Sequence, residues 1–109
     1  MSIKKVTAIV QRSKLEHVET ALRDAGVPGI SVTIVNGYGD YANFFKSPPL
    51  VSHARLEIFI EEDKVSTVVD AIMNNAHTGM ESDGIIAVLP VEHFYRIREK
   101  QVLYTSDDV

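Results

Sequence analysis

The sequence contains no cysteine. That excludes disulfides, thiolate nucleophiles and cysteine-based metal sites. Long apolar runs are missing too. The longest, Ile85 to Val91, is too short to span a bilayer. The opening residues Met1-Ser2-Ile3-Lys4-Lys5 lack the apolar stretch of a secretory leader. Together these absences set the expectation of a cytoplasmic protein. No basic run occurs and the formal net charge is -4, so a general attraction to nucleic acid is not expected. No pair among His17, His53, His77 and His93 has the i, i+4 spacing of a helical metal site. Glu57 and Glu61 share a strand face, but nothing pairs them as an acid and a base. No nucleophile stands beside a base. No catalytic residue, no metal ligand and no enzyme activity are therefore expected.

What is present reads as one small domain. At 109 residues the chain can bury one modest core. Its hydrophobic share of 45% and charged share of 24% are those of a globular protein rather than a disordered one.

Local periodicity predicts the elements. Val6, Ala8 and Val10 alternate along a strand from Lys4 to Val10. Ser13 and Glu16 have capping-box spacing. Leu15, Val18, Leu22 and Ala25 follow at helical intervals, predicting an amphipathic helix from Lys14 to Ala25. Gly26 stops it, because glycine accepts the left-handed conformation. Ile30 to Asn36 reads as a second strand. The third is the clearest: Ala54, Leu56, Ile58 and Ile60 alternate with His53, Arg55, Glu57 and Phe59. Asp63 is placed to cap a second helix with a stripe of Val65, Val68, Val69, Ile72 and Ala76. After a glycine-containing loop, Ile85 to Leu89 reads as a buried strand. Glu92 to Arg98 continues extended, and the tail from 99 to 109 is expected to be flexible.

The order β-α-β-β-α-β consists of two similar βαβ halves. It predicts an α/β (α+β) fold of ferredoxin-like type, an antiparallel four-stranded sheet with both helices on one face. The other face still carries Ile9, Val35 and Phe59, which calls for cover by another subunit.

Two regions stand outside this periodicity. From Gly37 to Leu50, within a connection expected over 37–52, the chain is long for so small a domain and holds two glycines and two prolines. Tyr41, Phe44, Phe45, Pro48, Pro49 and Leu50 make it unusually apolar. They either fold back on the domain or wait for a partner. Thr78-Gly79 and Asp83-Gly84 are either a plain connection or a source of backbone N–H groups for an anion. Arg96 and Arg98 share one side of an extended segment. They suit a phosphate or carboxylate, or else pair with acidic neighbours.

Several motifs, in order, resemble the P-II signal-transduction family. Lys14 to Leu22 is similar to its first helix, and Gly26 to Thr33 to its helix-to-strand turn. Gly37-Tyr38-Gly39 resembles the opening of its long loop. Thr78-Gly79 with Asp83-Gly84 resembles its phosphate-wrapping loop, and Tyr95 to Arg98 its closing arginine pair. The resemblance runs from Lys4 to about Arg98. It implies a homotrimer that senses a small anionic ligand in clefts between subunits. It also implies a loop that docks on a membrane transporter or an enzyme. The ligand contacts it implies are Gly37, Gly39, Thr78, Gly79, Asp83, Gly84, Arg96 and Arg98. The partner-binding contacts would be Tyr41, Phe44, Phe45 and Leu50. ADP, AMP or ATP are the candidates for the sensed ligand, and no bound cofactor is assigned.

The chain also departs from the family pattern. Asp40 and Tyr41 replace an arginine and a glutamine, and the loop is shorter. Ser82 replaces a glycine, and His53 and Ile85 replace lysines. Lost cations and an added aspartate favour a nucleotide with few phosphates. A trimeric metal-related protein of the cation-tolerance type, or a regulator linked to metal efflux, stays open as the alternative.

Overall fold

The computed structural model describes residues 2–37 and 51–105. Strand β1 spans Ile3–Gln11, helix α1 Leu15–Asp24, β2 Ser31–Gly37, β3 Val51–Glu61, helix α2 Val65–Ala76 and β4 Gly84–Pro90. Two further strands, β5 His93–Arg96 and β6 Gln101–Thr105, complete the described chain.

The first four strands form one antiparallel sheet in the order β2-β3-β1-β4. The ferredoxin-like topology is therefore as predicted. Its core lies between this sheet and the two helices. Val6, Ala8 and Val10 from β1 meet Ala54, Leu56, Ile58 and Ile60 from β3 on one face. Val18 and Leu22 of α1, with Val68, Ile72 and Ala76 of α2, close over them. Each large aliphatic side chain buried there contributes about 1.5–3 kcal/mol.

Helix ends show where local reading stops. Ser13 and Asp63 cap neither helix. Each sits inside a 3-10 turn, Arg12–Lys14 or Glu62–Lys64, that leads the strand directly into the helix. Lys14 and Lys64 hold the N-cap positions without a side-chain hydrogen bond. The two halves of the fold use the same device, so the tight turn satisfies the geometry that a cap would otherwise serve. The C-terminus of α1 follows expectation. Val27 N–H donates to Leu22 O and Gly26 N–H to Arg23 O, both at 3.0 Å, around a left-handed Gly26 with φ 87°. This is a Schellman motif, and Val27 packs on the core beside it.

Other boundaries shift. The long connection is bounded by paired strand residues, Gly37 against Val51. β4 is only partly buried, with Val88 and Leu89 exposed, because it is an edge strand. The C-terminal segment does not stay extended to Arg98, nor is it frayed from residue 99. It turns at residues 97–100, where Lys100 takes φ 54°, and returns as β6 paired with β5. Tyr104 is buried there.

Candidate functional site

The expected ligand residues that the structure describes divide between two ends of the sheet. At the first end, strand register gathers the C-terminus of β1, the N-termini of β3 and β4, and the end of β2. Gln11 lies opposite His53, Val10 opposite Gly84, and Gly37 opposite Val51. The loop from His77 to Asp83 folds over this end.

Asp83 organises that loop. Its carboxylate accepts hydrogen bonds from the backbone N–H of Thr78 at 2.8 Å and of Gly79 at 2.9 Å. The Thr78 hydroxyl and the Gln11 side-chain amide, the latter at 3.0 Å, donate to its other oxygen. Partial burial opposes the charged form. The donors from Thr78 and Gly79 outweigh it, with help from nearby His77, and hold the Asp83 carboxyl below its ordinary range. The two N–H groups expected to face an external anion thus already face an internal one.

Gly84 has a structural task. Its φ is 106° and ψ -162°, a conformation essentially restricted to glycine. A Cβ there would sit 1.8 Å from the Ile9 carbonyl oxygen. Close backbone approach is required at this position, but by β1 rather than by a ligand.

The alternation of β3 places His53 on the face away from the helices, in line with Arg55 and Glu57. It is in fact 0% exposed. The turn Glu81–Asp83 covers it, and its Nε2 lies 3.2 Å from the Ser82 carbonyl oxygen. Gln11 and His53, neither of them among the expected ligand residues, also belong to this end. Nothing local marks Gln11, whose partners Ser82 and Asp83 are 71 and 72 residues away.

The second end holds an open cleft of about 760 Å³. Phe59, Phe94, Arg96, Glu57 and the turn containing Gly26 and Gly29 line it. Phe59 and Phe94 stack at 5.5 Å between centroids, tilted by 39°. The Lys5 ammonium, 2.9 Å from Glu57, holds that carboxyl below its usual range by hydrogen bonding and by charge. Arg96 ends β5 and pairs with Glu99 at 3.4 Å. Arg98 lies in the following turn, so the two arginines do not share one strand face.

Gly39, Tyr41, Phe44, Phe45 and Leu50 lie outside the described residues. Among the described residues no group of three or more His, Asp or Glu side chains forms a metal-binding cluster. No helix among them is long and apolar enough to cross a membrane.

A family model described as nitrogen regulatory protein P-II matches residues 3–101. The chain belongs to the P-II family. Its match spans both ends of the sheet and reaches β6. The chain is 35% identical over 103 residues to nitrogen regulatory protein P-II of Azospirillum brasilense. It is 37% identical over 103 residues to that of Microchaete diplosiphon. Each alignment covers 88% of this chain and 92% of the relative. Among solved structures, Arabidopsis thaliana PII bound to citrate superposes with a TM-score of 0.79 at 33% identity. That match covers 93% of this chain and 88% of the plant protein. The P-II assignment accounts for the order of the motifs and for the regulatory character of the relatives.

Proposed function

We propose that this P-II protein is a cytoplasmic homotrimeric regulator without catalytic activity. It senses a small anionic ligand between subunits and reports it to a membrane transporter or an enzyme through residues 38–50. One observation carries the reading. The loop with Thr78, Gly79 and Asp83 is tied to Gln11, while Arg96 shares its cleft with Ile3. Ile3 and Gln11 are the two ends of β1, about 26 Å apart at strand rise. No single ligand of nucleotide size bridges that distance within one chain. On this reading the glycine loop of one copy meets the arginines of another.

The sheet's outer face supports assembly. Phe59 is 47% exposed, and Leu89 beside it is also exposed across Lys5. Such a surface gains by burial against a second copy. An adenine nucleotide with few phosphates suits the site better than a triphosphate, because Asp83 already holds two of the N–H groups. A citrate-bound plant relative agrees with an anionic ligand. On this reading Tyr41, Phe44, Phe45 and Leu50 supply apolar anchors to the partner, and Gly37 and Gly39 contact the ligand.

Light scattering joined to calorimetry tests the proposal. The protein should run as a trimer and bind ADP, AMP or ATP. The Arg96→Ala, Arg98→Ala double variant should stay trimeric and lose at least tenfold in affinity, the equivalent of about 1.4 kcal/mol. A stable monomer, or heat from divalent metal ions with none from nucleotides, would overturn it.

A further inference from the structure

A buried histidine in this fold belongs neither to the core cluster nor to the list of ligand contacts. His53 is fully enclosed, yet it sits on the sheet face opposite the helices. Its Nε2 faces the Ser82 carbonyl, which can only accept, so Nε2 carries the proton and donates. Register places His53 between Gln11 of β1 and Val35 of β2. Gln11 reaches the same turn through the Ser82 hydroxyl at 3.3 Å and Asp83 at 3.0 Å. Arg12 approaches the Ser52 hydroxyl at 3.5 Å beside it. Only Ser52 separates His53 from Val51, which pairs with Gly37. Those two residues are the points where segment 38–50 leaves and rejoins the sheet.

We propose that His53 is a positioning residue that couples the 77–83 loop to the paired strand ends Gly37 and Val51. The imidazole is a short, rigid link. One end is fixed by the backbone of β3. The other holds a backbone carbonyl in the turn that Asp83 shapes. A change in the 77–83 loop moves the Ser82 carbonyl, and His53 either follows it or loses the bond. Losing it leaves a buried N–H donor without that partner, which the surrounding structure resists. Movement is therefore passed to β3 at the base of segment 38–50. The proposal rests on the reading of the 77–83 loop as part of the ligand site.

Hydrogen exchange on the ligand-free protein tests the link, so its failure is distinct from a failure to bind nucleotide. Thr78→Val removes a donor to Asp83 without touching β3. It should speed exchange at the amides of Asn36, Gly37, Val51 and Ser52 by about threefold to tenfold, the scale of one weakened hydrogen bond. Exchange at Val6 and Ala8, in mid-strand, should not change. In a His53→Leu background, Thr78→Val should add nothing at Gly37 and Val51, because the link is already cut. His53→Gln, which keeps a side-chain N–H donor, should restore the response. Unchanged exchange at Gly37 and Val51 in Thr78→Val alone would overturn the proposal, even where His53→Leu does not fold. An additive effect in the double variant would overturn it as well.

Discussion

Replacing Gly84 with alanine is a demanding perturbation of this fold, because strain and overlap act together there. The residue occupies φ 106°, ψ -162°, where a side chain costs about 1–3 kcal/mol in backbone strain. Space adds a second term. The new Cβ would meet Ile9 O at 1.8 Å, Ile9 C at 2.8 Å and Val10 Cα at 3.3 Å. All three are backbone atoms, so no rotamer change relieves the overlap. β4 must withdraw from β1 at the Val10–Gly84 pair, giving up one or two ladder hydrogen bonds at about 1 kcal/mol each. The sum is about 2–5 kcal/mol, a large share of the 5–15 kcal/mol that stabilises a typical domain. Urea unfolding at fixed protein concentration measures it. With an m-value of about 1–3 kcal/mol/M, the midpoint should fall by at least about 0.7 M. A loss under about 1 kcal/mol would refute the reasoning. It would return Gly84 to the role of a residue kept small for a ligand, most directly if nucleotide affinity fell while stability held.

The remaining predictions concern the loop and the core. Because the folded carboxyl of Asp83 titrates below its ordinary value, its contribution is present above about pH 4 and is lost as pH falls through the lower folded value. Asp83→Asn should be less stable than the wild type at pH 7, with the gap in urea midpoint closing at acid pH; a gap independent of pH would contradict the hydrogen-bond account. Leu56, fully buried at the centre of β3, should lose about 2–5 kcal/mol on change to alanine. Thermal unfolding should show this, and a smaller loss would place the core elsewhere.

Much of the fold was legible in the residues themselves. Strict alternation along β3 identified Ala54, Leu56, Ile58 and Ile60 as core. The spacing of Val68, Ile72 and Ala76 set the inward face of α2. Gly26 marked the end of α1 because its conformation is a local matter. In each case the chain encodes a face by a short period, and burial then rewards that face. The order of elements and the antiparallel sheet followed from the same patterns.

Tertiary structure decided the rest. Alternation put His53 outward, yet a turn nearly thirty residues later covers it, and no local period carries that information. Ser13 and Asp63 had the right spacing for caps, but the strand ends run straight into 3-10 turns, which leave neither in an N-cap position. Arg96 and Arg98 would have shared a face had β5 continued. The chain instead turns after Arg96, so that β6 can pair with β5 and bury Tyr104. Gly79 and Arg96, both readable as ligand residues, proved to lie near opposite ends of β1. Residue types and spacing name the groups that suit an anion. Only strand register and chain reversal settle which of them one copy can bring together.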